Sequence, residues 1–224
     1  MRVIKEASVR KNEILNAASV LFTNKGFENT SVTEIMNAVG IAKGTLYHHF
    51  KSKEEIMDAL IERQTDFILQ SARKVAEDKS IPVKERMIRT ILALHIDAKE
   101  DTEGKEMIEH LHKPQNALMH QKTKRVILQN VPPIMAGIVE DGIAQKIFHT
   151  PYPLVCMEIA MCYLNIMLDD DVFELTQEQL LEKIHAFLFC FEKLLGTEKG
   201  ELAFYEDVFL KGKDITHVYQ NAEK

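Results

Sequence analysis

Apolar residues recur at helical rather than strand spacing along this chain. Ile14, Ala17, Ala18, Leu21 and Phe22 fall at i, i+3, i+4, i+7 and i+8, one stripe on a helix over residues 9–25. Gly26 follows Lys25 as a stop. Ser31 or Thr30 opens a second helix, with Glu34 three residues after Ser31 in capping-box position and Val32, Ile35, Met36 and Val39 as its apolar face. Gly40 ends that helix, Ile41-Ala42 form a tight link, and residues 43–49 make a third short helix. Ser52 then caps a long fourth helix over residues 53–77, with Glu54 and Glu55 in the first turn, where the helix dipole favours acids.

Further helices are expected over residues 83–97, 106–113, 114–129, 133–143, 151–168 and 176–195. Val131-Pro132-Pro133 reads as a breaker between two of them, because proline lacks the N–H that a helix needs. Thr176 with Gln179 is a second capping box, and Gly196 closes the helix that it opens. Beyond it, Leu202, Phe204, Tyr205, Val208 and Phe209 suit a last segment that packs back. No run of alternating strands occurs, so the fold class is all-α: a three-helix head, residues 1–52, and a helical body, residues 53–224.

Composition agrees with long helices, since 224 residues hold only nine Gly and six Pro. The charge pattern adds something new. The net charge is −6, yet residues 1–53 carry eight basic and four acidic side chains, leaving 20 basic and 30 acidic for the rest. A basic head on an acidic body suggests that the head meets a polyanion, although a merely uneven solvated surface gives the same count. The opening MRVIKEASVRK has no apolar core and no small-residue cleavage site, and the most apolar stretch, Leu154–Leu168, is too short to span a bilayer. A cytoplasmic protein without a membrane partner is expected. Cys156, Cys162 and Cys190 have neither the number nor the spacing of a disulfide framework or a zinc site.

The head carries the candidate chemistry. Its last two helices are short and joined by a Gly-containing turn, which is a helix-turn-helix arrangement. With Leu46 and Phe50 turned to the core, Lys43, Gly44, Thr45, Tyr47 and His48 face outward on the third helix. These types read DNA: lysine donates to phosphate or guanine, threonine meets a phosphate or a thymine methyl, and tyrosine and histidine offer a flat ring with a polar tip. A helical hairpin with a polar outer face would show the same pattern. No GxSxG, P-loop, GxGxxG or HExxH pattern is present, so no catalytic residue and no cofactor is expected.

The literal text of Ser31–Phe50, SVTEIMNAVGIAKGTLYHHF, followed by Ser52-Lys53-Glu54, resembles the TetR family of repressors. Ala38-Val39-Gly40 occupies its turn, Lys43–Phe50 its recognition helix and Ser52-Lys53-Glu54 its fourth-helix opening. Met36 stands where that pattern commonly has Ala, and Ala42 where Ser often caps the recognition helix. The resemblance implies that Thr33, Thr45, Tyr47 and Lys53 anchor phosphates of double-stranded operator DNA. It places Lys43 and Gly44 over the groove and His48 near a base or phosphate. It further implies a homodimer on a palindromic operator and release by a small-molecule effector in the body.

In the body, helices 151–168 and 176–195 are apolar enough to need cover on every side, by the chain's own core or by a second subunit. Ile159, Tyr163, Phe187 and Phe191 are the interface candidates. Polar groups in apolar text mark a possible effector site: His95, then His112, Gln115 and Met119 on one face, then Glu158, Cys162 and Asn165 as a stripe. The same groups would equally serve as satisfied core or interface polar residues. His95, His110, His112, His120 and Cys156 show no diagnostic metal spacing, so no metal site is expected. A metal-sensing repressor and a DNA-organising helix-turn-helix protein without an effector stay open as alternatives.

Overall fold

A computed structural model describes residues 7–100, 116–167, 173, 175–203 and 205–206, with the backbone alone for 95–100. Among the described residues there are eight helices and no strand. They are α1 (Ala7–Lys25), α2 (Val32–Val39), α3 (Lys43–His49), α4 (Lys53–Ala76), α5 (Val83–Glu100), α6 (Ala117–Ala144), α7 (Pro153–Met167) and α8 (Gln177–Leu195). Two compact units result, one within Met1–Phe67 and Asp97–Val126, the other within Ile68–Ile96 and Ile127–Lys224.

The first unit is built on the stripe of α1. Ile14, Leu15, Ala18 and Phe22 are buried, and with Ile35 of α2, Leu46 of α3 and Ile56, Met57 and Leu60 of α4 they form one core. Gly26 takes a positive φ of 82° and its N–H returns to Phe22 O at 2.9 Å, ending α1 where the sequence predicts. Phe27 then turns inward against Phe22, with ring centroids 5.3 Å apart. The capping box of α2 is complete, with Glu34 N–H donating to Ser31 Oγ at 3.2 Å and Ser31 N–H to Glu34 Oε2 at 2.8 Å. Gly40, φ 70°, makes the turn into α3.

The second unit departs from the sequence reading in one place. Val131-Pro132-Pro133, expected to separate two helices, lies inside the single helix α6. Val131, Ile138 and Val139 are fully buried and Met135 and Ala136 nearly so. Burial of this apolar face offsets the roughly 3 kcal/mol that an interior proline costs a helix. At the α4–α5 turn, Arg86 is buried; its guanidinium meets Asp141 at 2.8 Å and donates to Ala76 O at 3.2 Å. Lys79, which also pairs with Asp141, and then Arg86 hold that carboxyl below the usual range.

The end of α8 is closed from outside the helix. Gly196, φ 68°, is its cap, His149 N–H donates to Leu195 O at 2.8 Å and Cys156 Sγ to Leu194 O at 3.3 Å. The buried Glu192 carboxylate accepts Gly200 N–H and Leu202 N–H, both at 2.9 Å, so that Leu202 and Tyr205 fold back into the core.

Candidate nucleic-acid interface

Helix α3 has one buried residue, Leu46, which fixes its rotation on the core. One side is thereby turned away: Lys43, Gly44, Tyr47 and His48 are exposed, and Thr45 is half-buried beside them. Lys43 Nζ stands 5.8 Å from the Tyr47 ring centroid, within cation–π range. His48 and His49 meet edge to face at 5.2 Å. Burial, and then the charges of His48, Arg10 and Lys11, push the His49 imidazole below its ordinary pKa. Ala42 caps α3 without a side-chain hydrogen bond, as the missing hydroxyl predicts.

Gly44 lies open on this face of α3. A Cβ built there meets nothing within 4 Å, so no neighbour in the fold requires glycine. A helical glycine costs roughly 0.5–1 kcal/mol relative to alanine, and it removes the one atom that would hold back a close-lying surface.

Thr33 is exposed in the first turn of α2. Lys25 pairs with Glu34, and this contact, with the Ser31 hydrogen bonds, holds the Glu34 carboxyl down to about 2. Lys53, to which the resemblance assigns a phosphate, is half-buried at the start of α4. Its Nζ donates to Phe27 O at 2.7 Å and Thr30 O at 2.9 Å and sits 4.2 Å from the Phe27 ring centroid. The carbonyls that attract it belong to the α1–α2 loop, more than twenty positions upstream, so spacing along the chain gives no sign of them.

A family model described as bacterial regulatory proteins, tetR family, matches residues 14–60, and one described as tetracyclin repressor-like, C-terminal domain, matches residues 99–190. The transcriptional regulator UidR of Escherichia coli K12 is 31% identical over 139 residues, which cover 61% of this chain and 70% of UidR. The chain belongs to the TetR family.

A second relative, the HTH-type transcriptional repressor KstR2 of Mycobacterium tuberculosis, is 34% identical over 83 residues, 37% of this chain. That match spans only 42% of KstR2's own length. Among solved structures, SmeT, the repressor of the Stenotrophomonas maltophilia multidrug efflux pump SmeDEF, shares the fold with a TM-score of 0.56 and 20% identity, covering 85% of this chain and 91% of SmeT. The SmeT–triclosan complex gives a TM-score of 0.55 at 19% identity over 86% of this chain and 93% of SmeT.

The remaining expected residues of this TetR-family chain lie on α5 to α8 or outside the described residues. Met119 is buried in the core that holds the apolar residues of α1 and α4. Glu158 and Cys162 are exposed on α7, opposite the buried Cys156, Met157 and Ala160. They share that exposed side with Ile159, Val155 and Ile166 rather than a helix interior. His112 and Gln115 lie outside the described residues, as does the side chain of His95.

Of the interface candidates, Ile159 is exposed and Tyr163 half-buried, stacked on Phe187 with centroids 5.4 Å apart. Phe187 and Phe191 are buried within the chain itself, stacked at 5.4 Å. They lie on the stripe of α8 that already covers its own core with Ile184 and Leu188. Phe189, half exposed, occupies the other side of α8. The sequence held a signal for it: a large apolar residue off the main stripe. Among the described residues no three His, Cys, Asp or Glu side chains group as a metal site would require, and no helix is long and apolar enough to cross a membrane.

Proposed function

We propose that this TetR-family chain is a ligand-responsive transcriptional repressor that binds a palindromic operator in double-stranded DNA as a homodimer. The observation that carries this is the outward face of α3: Leu46 buried, Lys43, Gly44, Tyr47 and His48 exposed, and a glycine that the fold itself does not need. Lys43 and Thr45 supply phosphate or base-edge donors, Tyr47 and His48 flat rings with polar tips, and Thr33 a hydroxyl at the start of α2. Residues 1–52 act as the reading head and 53–224 as the dimerising and sensing body, working in the cytoplasm.

The two heads of a twofold dimer reach successive major grooves about 34–36 Å apart. The α7 face bearing Val155, Ile159 and Ile166, together with Phe189 on α8, is the surface that a second subunit would cover. A small molecule bound in the body favours a dimer whose heads no longer match that spacing, and operator and effector then weaken each other by the same factor. The triclosan complex of SmeT supports an organic effector as the chemical class to test first.

The test is selection of duplexes from a random library by the full chain, followed by gel shift with Lys43→Ala/Tyr47→Ala. The double variant loses the selected duplex while keeping wild-type melting. Retained binding would remove α3 as the reading helix. A thermal-shift screen of small organic molecules then finds the effector, since binding to the folded state alone raises the melting temperature.

A further inference from the structure

One turn of α5 carries two polar side chains that the fold buries without fully pairing them. Arg86 is 1% exposed and Thr90 0%. Arg86 Nη1 meets both Asp141 Oδ2 at 2.8 Å and Ala76 O at 3.2 Å. Among the described residues, Arg86 Nε and Thr90 Oγ1 find no hydrogen-bond partner. Residues four apart on a helix share a face, with Cβ atoms about 5–6 Å apart, so a single group beside that face reaches both. A buried polar atom left unpaired costs free energy, and valine would fill the place of Thr90 without that cost. An acceptor from outside the chain satisfies the two orphaned atoms together.

The chemistry of that acceptor follows from the donors. Asp141 and Ala76 occupy the Nη1 end of the guanidinium, and Nε lies on the other edge of a fork whose shape matches a carboxylate. A hydrogen bond from an ionised arginine to a carboxylate is roughly twice as strong as one between neutral groups. The Thr90 hydroxyl rotates to donate to the same group. Lys79 also pairs with Asp141 and so offsets repulsion between that carboxylate and a second one. Asp78, the other acid near Arg86, is exposed and bonded to Ser80. Along α5, Val83, Met87 and Ile88 are buried, which sets these two polar atoms among apolar neighbours in sequence.

We propose that Arg86 Nε and Thr90 Oγ1 hold the carboxylate of the effector, an organic acid with an apolar remainder. This rests on the ligand-responsive reading above and adds to it the chemical class of the effector and two residues that bind it. The experiment uses the full chain and a panel of linear, branched and aromatic carboxylic acids, each beside its primary amide at matched ionic strength. Melting temperature reports binding to the folded state, and fluorescence anisotropy reports release of a duplex selected by the wild type. At least one acid is expected to raise the wild-type melting temperature and weaken duplex binding where its amide does neither. Thr90→Val should melt no lower than the wild type when free and bind that acid about tenfold more weakly, the loss of one hydrogen bond to a charged group. Thr90→Ser, which keeps the hydroxyl, should bind it well. Arg86→Lys keeps a charge beside Asp141 without the Nε edge and should lose at least as much as Thr90→Val.

Undiminished binding of the acid by Thr90→Val would overturn the proposal, and so would equal binding of acid and amide. A Thr90→Val variant that melts lower, in a protein that binds no acid, would identify a buried water as the occupant and overturn it as well. Neutral molecules that stabilise the wild type and release the duplex while no acid does would remove this site and leave the sensing reading in place. No response to any small molecule would end both.

Discussion

At Gly44 the demands of fold and function separate. Apart from its chain neighbours and the backbone of its own helix, nothing lies within 4 Å of a Cβ placed there, so alanine fits the folded state and restricts the unfolded one. Gly44→Ala is therefore expected to stabilise the protein by about 0.5–1 kcal/mol and to weaken binding to a selected duplex, checked by thermal melting and gel shift on the same sample. A variant that melts higher and binds as well as the wild type would show that nothing approaches this backbone. His49, one turn on, gives a pH test. Its pKa is lowered in the folded state, by burial first and then by His48, Arg10 and Lys11, so below 6.5 the unfolded chain takes up a proton that the folded chain resists. Stability should fall as pH drops from 7.5 through 6.5 towards the lower folded-state value, and His49→Gln should flatten that part of the melting-temperature profile. The outward types on α3 were legible in the sequence because helical spacing places them once Leu46 and Phe50 are assigned to the core. The seats of Lys53 and Arg86 were not. Carbonyls carry no residue identity, and Asp141 is far from Arg86 in sequence.

Among the elements, those specified by local chemistry were readable, and those specified by packing were not. Ser31 with Glu34 and Thr176 with Gln179 form capping boxes as their spacing predicts, because a cap is settled within four residues. Ser31→Ala should accordingly cost about 1 kcal/mol in denaturant unfolding, as an N-cap loss does. Helix α6 is the opposite case. Its prolines argue locally for a break, and only the burial of Val131, Met135, Ile138 and Val139 carries the helix through them. Spacing also placed Phe187 and Phe191 correctly on one stripe of α8, but it does not say whether that stripe meets its own chain or a partner. Near the end of α6, Gly142 is fixed by packing of another kind. A Cβ there would fall 2.3 Å from Phe148 Cδ2 and 2.6 Å from Cε2, on a ring that is itself buried. Gly142→Ala should destabilise by about 1–3 kcal/mol, the usual cost of overpacking, and a double variant with Phe148→Leu should recover part of it. An unchanged denaturation midpoint would mean that α6 gives way at its C-terminal end.

For the whole molecule, the decisive distinction lies between two sets of apolar residues on α7 and α8. Phe187 and Phe191 are each 7% exposed, whereas Ile159 is 46% exposed and Phe189 50%. Truncating the first set removes core contacts, so Phe187→Ala or Phe191→Ala should cost about 3–5 kcal/mol of stability at any protein concentration. Charging the second set leaves the core intact and acts only where another surface covers it. Ile159→Glu and Phe189→Glu are therefore expected to convert the proposed dimer to monomer in sedimentation equilibrium, with wild-type helical content by circular dichroism. Because a monomer presents one reading helix instead of two, the same variants should lose the palindromic duplex much more than a single half-site, for which the linked second contact was never available. A dimer that survives both substitutions would move the interface off this side of α7 and α8. A monomer that still holds the palindrome at wild-type affinity would separate operator binding from dimerisation altogether, since nothing would then hold two α3 helices at the spacing of successive grooves.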